Sequence, residues 1–187
     1  SFFPAKPLGC YGDGGAIFTN DSDIAGLIRS IKNHGMGKHK YEHINIGMNS
    51  RLDTIQAAIL ISKIKILSDE IIKRNDIAKY YNENLKGYSY LLPKLSMEKS
   101  FAWAQYTLRH KKRDMVIKFL NSKGIPTGIY YPLPLNQQPA YKNCYVVSSG
   151  VENTERFCKE VFSIPMSPYL KKEHQEYIIE HLISESY

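Results

Sequence analysis

The chain has 187 residues, 43% of them hydrophobic and 23% charged, which describes a globular protein and excludes a disordered one. Its net charge of +7 suits an anionic ligand or a polyanion. The lysines are scattered, however, and the one dense basic run, His110-Lys111-Lys112-Arg113, is short and ends at Asp114, so a solvated basic surface is the favoured reading over a nucleic-acid-binding one.

The cysteines Cys10, Cys144 and Cys158 form an odd, widely spaced set without a C-x-x-C pair. That pattern indicates neither a zinc site nor a disulfide framework, and a reduced, cytosolic compartment is expected. No stretch approaches the roughly 20 apolar residues of a membrane span. The chain opens at Ser1 without a methionine, inside a motif, and is expected to be the C-terminal part of something longer.

The first motif is SFFPAKPLGCYGDGG. Lys6 stands between Pro4 and Pro7, and Gly9, Gly12, Gly14 and Gly15 follow. Prolines fix the backbone torsion on either side, while glycines admit tight turns and close approach. A lysine in such a frame suits covalent capture of an aldehyde cofactor or a carbonyl substrate. Spacing alone favours a tight turn with a solvated lysine, and no Gly-Lys-Ser/Thr completes a phosphate loop.

Residues 16–19 read as a short buried strand, and Asn20-Asp21-Ser22 as a helix cap. Ile24, Leu27, Ile28 and Ile31 keep the helical period up to Gly35, which predicts a helix packed on a sheet. A polar loop over 35–50 follows. His34, His39 and His43 lack the spacing of a metal site, and no metal is expected. Asn49 and Arg51, two apart in an extended segment, point to one side and can hold phosphate or carboxylate oxygens. The alternative is an ordinary loop leading into a helix capped by Asp53.

Residues 53–86 read as one long helix, with a possible break near Ser68-Asp69 and a stop at Gly87. The rest reads as an α+β unit. Strands are predicted over 101–108 and 125–131, and helices from Asp114 to Leu120, from Glu152 to Phe162 and from Lys172 to Ser184. Tyr130 and Tyr131 end the second strand and must face opposite ways. They suit either a binding edge or core packing.

Four segments in this order resemble the DegT/DnrJ/EryC1/StrS sugar aminotransferases: SFFPAKPLGCYGDGGAIFTND, HGMGKHKYEHINIGMNSRLDTIQAAIL, IPTGIYYPLPLNQQPAY and VFSIPMSPYL. Within the family the likeness points to enzymes acting on a UDP-linked 3-keto-glucuronic acid. The resemblance implies an α/β architecture, the C-terminal portion of the aspartate-aminotransferase fold (pyridoxal-phosphate fold type I). It divides the chain into a remnant of the cofactor-binding large domain over 1–52, a long connecting helix over 53–87 and a small α+β domain over 88–187. It implies pyridoxal 5'-phosphate held by Lys6, with Ser1 on the cofactor phosphate.

By the same resemblance Asn49 reaches the cofactor phosphate of a neighbouring subunit, Arg51 lies near it, and Tyr130 and Tyr131 contact the sugar. The active site would be shared across a homodimer, taking nitrogen from glutamate and giving it to a nucleotide-linked keto sugar for cell-surface polysaccharide synthesis. The family's usual histidines are replaced by Tyr130 and Asn136, which leaves the exact sugar open but not the cofactor, and Pro7 stands where asparagine is common. The carboxylate for the pyridine nitrogen and the ring-stacking aromatic lie upstream of the lysine in the family. The chain alone is therefore expected to be inactive, and a non-catalytic assembly module from a split gene is the competing reading.

Overall fold

In the computed structural model, residues 1–94, 101–141, 143–147 and 150–184 are described, and they divide into two compact units, Ser1–Ser68 and Asp69–Tyr187. In the first unit, helix α1 spans Ser22–Ile31. Asp21 caps it: its Oδ1 accepts from the backbone N–H groups of Asp23 (2.9 Å) and Ile24 (3.0 Å), two of the donors every helix start leaves open. The helix ends four residues before Gly35, whose N–H returns to the Ser30 carbonyl at 2.8 Å.

The expected strand over 16–19 does not form, and α1 does not pack on a sheet. Ile17 and Phe18 are exposed, and no residue of α1 is buried. A strand needs a partner edge for its backbone groups, and none lies alongside among the described residues. Residues 33–49 are held instead by two isolated antiparallel bridges, Asn33 with Asn49 and Met36 with His43.

Helix α2 spans Thr54–Leu85, and the boundary between the units falls within it. The anticipated break at Ser68-Asp69 is absent: neither residue removes a backbone donor as proline would, so the hydrogen-bond ladder continues. Ala57 N–H donates to the Asp53 carbonyl at 3.0 Å, and the helix stops before Gly87.

The second unit holds strand β1 (Tyr106–Arg109), helix α3 (Arg113–Ser122), helix α4 (Glu152–Glu160), strand β2 (Val161–Ile164) and helix α5 (Lys172–Ile183). The two strands pair antiparallel, Tyr106 with Ile164 through Arg109 with Val161. The predicted strand over 101–108 thus shrinks to its last residues plus Arg109. The predicted helix through Phe162 ends at Glu160, because Val161 to Ile164 joins the sheet. The predicted strand over 125–131 reduces to one bridge, in which Gly128 and Ser163 exchange both backbone bonds (3.0 and 2.7 Å). Asp114 lies in the first turn of α3 rather than at its cap, which is Lys112.

The core of this unit joins Tyr81 and Leu85 of α2, Tyr106 and Leu108 of β1, Val116 and Leu120 of α3, Phe162 of β2 and Leu182 of α5. Each of these is essentially inaccessible to solvent. Tyr81 and Tyr106 meet ring to ring at 4.9 Å. The Tyr81 hydroxyl donates to the Pro165 carbonyl at 3.0 Å, whereas the buried Tyr106 hydroxyl has no partner among the described residues. Burial pushes both phenols well above their usual range, and Tyr106 adds to the effect on Tyr81.

Two outcomes follow from this difference. Tyr81→Phe deletes a satisfied bond and costs about 1 kcal/mol in urea unfolding at neutral pH, while Tyr106→Phe removes an orphaned hydroxyl and leaves stability equal or higher. In alkali the unfolded chain releases the phenolic protons near pH 10 while the native chain keeps them, so stability falls as pH rises through about 10. Each substitution flattens that fall; an unchanged alkaline slope in the double variant would contradict the burial of these two groups.

Candidate functional site

The lysine loop is fixed from within and from α2. Phe2 N–H donates to the Gly14 carbonyl (2.7 Å), Cys10 N–H to the Phe2 carbonyl (2.8 Å) and Lys6 N–H to the Phe3 carbonyl (2.9 Å), closing a tight turn that presents an exposed Lys6. Cys10 is fully buried, with its Sγ 3.0 Å from the carbonyl oxygens of both Phe2 and Gly12. A Cβ at Gly9 would stand 2.6 Å from the Pro4 carbonyl oxygen and 2.7 Å from that of Phe3, so only glycine lets these backbone segments approach. From α2, Gln56 Oε1 accepts from Tyr11 N–H at 2.8 Å, and Lys63 Nζ donates to the Gly9 carbonyl at 2.6 Å.

Cys10, Gln56 and Lys63 are the residues that sequence reading missed. Gln56 and Lys63 lie seven apart, hence on one face of α2, but a glutamine and a lysine there read as solvated polar positions. Their partners are backbone groups, which leave no mark on composition.

The other expected site residues fall in separate places. In the first unit Ser1 is exposed, and its Oγ accepts from Phe3 N–H at 3.3 Å, so it turns onto its own loop. Asn49 and Arg51 converge on Asn33: Asn49 pairs with it as a backbone bridge, and Arg51 Nη1 donates to Asn33 Oδ1 at 3.4 Å. Both are exposed. Among the described residues no hydrogen bond joins Ser1 or Lys6 to Asn49 or Arg51. His43 Nδ1 lies 2.9 Å from the His34 carbonyl, which gives that ring a structural use.

Tyr130 and Tyr131 belong to the second unit. Tyr130 lines a shallow cleft of about 290 Å³ with Gln105, Thr127, Gly128, Ser163 and Met166. Its ring lies on Gly128, where a Cβ would come within 2.8 Å of it. Tyr131 is more exposed, stands edge-on to Tyr130 and is not part of the lining. A polar cluster that sequence reading also missed lies in this unit: the Tyr169 hydroxyl bonds Glu70 Oε1 at 2.5 Å, which raises the Tyr169 phenol. Arg74 Nη1 donates to the Trp103 carbonyl at 2.9 Å, and burial lowers this guanidinium against the opposing pull of Glu70.

An exposed lysine held on a proline- and glycine-framed turn suits covalent capture of an aldehyde or a carbonyl group. The sequence profile of the DegT/DnrJ/EryC1/StrS aminotransferase family matches residues 1–183, and the chain belongs to that family. A Pseudomonas aeruginosa protein described as UDP-2-acetamido-2-deoxy-3-oxo-D-glucuronate aminotransferase is 45% identical over 170 residues, which is 91% of this chain and 46% of that protein. The crystal structure of a DegT/DnrJ/EryC1/StrS aminotransferase from Brucella abortus superposes with a TM-score of 0.93 at 46% identity, over 98% of this chain and 49% of that one. A Bacillus subtilis protein solved with bound cofactor PMP, the aminated form of pyridoxal phosphate, gives a TM-score of 0.86 at 29% identity, over 98% and 44% of the two chains.

These likenesses assign the chain to fold type I, and its family is one of pyridoxal-phosphate-dependent sugar aminotransferases. The chain spans about half the length of the curated relatives it matches. No described helix is long and apolar enough to cross a membrane.

The packing at Gly9 gives a test of the loop. Gly9→Ala forces its methyl group against two backbone carbonyls and costs about 1–3 kcal/mol through strain. Amide chemical shifts should move over residues 2–14 and stay in place over the β1–β2 pair; unchanged shifts in the loop would show that the close approach is absent.

Proposed function

We propose that this chain is the C-terminal part of an aminotransferase that moves an amino group from glutamate to the keto group of a nucleotide-linked sugar. In this reading residues 1–52 close the cofactor-binding domain, 53–87 connect, and 88–187 form the small domain. The observation that carries the proposal is the Lys6 turn, locked by Gln56 and Lys63 of α2 and presenting an exposed amine. The likeness to the Pseudomonas aeruginosa enzyme supports a UDP-linked 3-keto-glucuronic acid as substrate, for polysaccharide precursor synthesis.

The residues present fit an aldehyde cofactor bearing a phosphate. The first unit offers an amine on a fixed turn, a hydroxyl at Ser1, an amide at Asn49 and a guanidinium at Arg51. Lys6 would hold the aldehyde carbon and later carry the proton at the substrate carbon, taking it from one position and returning it to the other. Ser1 and Asn49 would donate to the phosphate. Arg51 would meet an anionic group of the sugar, and Tyr130 and Tyr131 would orient the ring. Pyridoxal phosphate, when bound there, would supply an electron sink that eases loss of the proton from the substrate carbon.

Two features of the reading concern the assembly. Asn49 and Arg51 serve the site of the partner in a homodimer, which agrees with their having no bond to the lysine loop within one chain. In this reading the 187-residue chain by itself has no counterpart of the carboxylate that would pair with the protonated pyridine nitrogen, so it binds the cofactor weakly and does not turn over. The three cysteines are free, with Cys10 and Cys158 buried, which supports a reducing cytoplasm as the working compartment.

The test is to mix the purified chain with pyridoxal phosphate, reduce with borohydride and map the labelled peptides. Label should concentrate on Lys6, and Lys6→Ala should lose it, while transfer from glutamate stays at the level of free cofactor. Label spread evenly over surface lysines would overturn the assignment of Lys6. Turnover well above free cofactor would overturn the incompleteness and leave the lysine assignment standing.

A further inference from the structure

The basic run at residues 110–113 takes no part in the reading above, yet the fold holds it with care. His110 N–H donates to the Glu160 carbonyl (3.0 Å), Lys112 N–H to His110 Nδ1 (3.0 Å) and Arg113 N–H to the His110 carbonyl (3.1 Å). Arg113 Nη1 donates to the Cys158 carbonyl at 2.6 Å. The His110 backbone N–H and the Arg113 side chain thus staple the turn carrying Lys111 and Lys112 to the end of α4, the helix that carries Arg156, while the buried His110 ring braces the turn from within.

Between them lies a cleft of about 610 Å³, lined by Arg109, Lys111, Lys112, Arg156, Glu160 and Leu91 among others. This is within the range of about 300–1,000 Å³ usual for small-molecule sites. The lining carries four cations and one carboxylate. That carboxylate, Glu160, is committed to Arg109, whose Nε and Nη2 donate to Glu160 Oε2 at 3.2 and 2.7 Å. The Arg109 guanidinium also lies 3.8 Å from the centre of the Phe157 ring. Arg109 is therefore a fixed wall. Lys111, Lys112 and Arg156 are exposed, and among the described residues no carboxylate forms an ion pair with them.

A rigid turn that crowds like charges against one cleft raises its potential and works against the fold unless an anion occupies it. Arg156 is partly oriented by its Nη2 bond to Asn153 Oδ1 at 2.8 Å. We propose that this cleft is a binding site for a compact anion with two or more phosphate groups, met by Lys111, Lys112 and the Arg156 fork. Guanidinium and ammonium groups give phosphate short, charge-assisted bonds, and two adjacent phosphates match cations on two sides of a cleft better than one. The inference is independent of the aminotransferase reading, since it uses no residue assigned there.

Titration calorimetry of the full chain with inorganic pyrophosphate tests it, with UDP as a second ligand to separate a free diphosphate from that of a nucleotide. Saturable binding with Kd below about 1 mM is expected, weakening steeply with added salt. The double variant Lys111→Ala/Lys112→Ala and the single variant Arg156→Ala should each weaken it at least about tenfold, whereas Lys79→Ala, on an exposed face of α2, should not. Amide shifts on pyrophosphate addition should centre on residues 109–113 and 153–160, which guards against variants that misfold. Competition by UDP would make a nucleotide diphosphate the natural ligand, and its failure to compete a free one. Absence of saturation, or equal affinity in the double variant with shifts elsewhere, would overturn the site.

Discussion

The hydrogen bond from the Lys63 ammonium to the Gly9 carbonyl is the contact on which the presentation of Lys6 depends. A loop of fifteen residues with four glycines loses much conformational entropy when it is ordered. Its internal bonds join residues close in sequence and cannot fix it against the rest of the unit. The bonds from Lys63 and Gln56 can, because a helix holds their backbones at a set spacing. A charged donor on a partly buried carbonyl contributes about 1.5–3 kcal/mol, more than a neutral pair. Lys63 also lies over the Tyr11 ring at 5.7 Å, which adds a second, weaker hold on the same loop.

The second unit reaches order by other means. Its core is aromatic and aliphatic surface taken from five elements, and its polar bonds tie side chains across long sequence separations: Tyr90 Oη to the Leu182 carbonyl at 3.0 Å, Gln175 Nε2 to the Ile77 carbonyl at 2.8 Å. The short β1–β2 pair is anchored in this core by Tyr106, Leu108, Phe162 and Ile164. The two clefts described above border that pair. The Tyr130 cleft takes Ser163 and Ile164 from β2, and the basic cleft takes Arg109 from the end of β1. The sheet is small, but it fixes two surfaces of different chemistry.

Much of this was legible in the sequence, and the failures have common causes. Helices were read well: α1 where the Asp21 cap and the apolar period agreed, and α5 from its period alone, its N-cap Lys171 making no side-chain cap bond. Strands were read poorly. The runs at 16–19 and 125–131 have strand composition, but pairing depends on a neighbouring edge that local sequence does not encode. The strand over Val161–Ile164 was hidden because its residues extend the apolar period of α4. The lysine loop was legible as a motif through Pro4, Lys6, Pro7 and the glycines. Its supports were not, since Gln56 and Lys63 act on backbone N–H and carbonyl groups 45 and 54 residues away in the chain, where no side-chain pattern records the contact.

The two units therefore differ in what a ligand can do to them. In the first, Cys10 and Leu60 are the buried hydrophobic residues, and hydrogen bonds at partly exposed positions supply most of the order. Elements of this kind open at low free-energy cost relative to a packed core. A ligand held by the lysine loop would be bound only by the ordered loop, and by linkage it would stabilise that unit by an amount that grows with its concentration over its Kd. The same ligand would leave the second unit nearly unchanged, because that core is complete without it. Binding at the lysine turn and ordering of the first unit are in this sense one equilibrium, and the Gly9 contact sets where it starts.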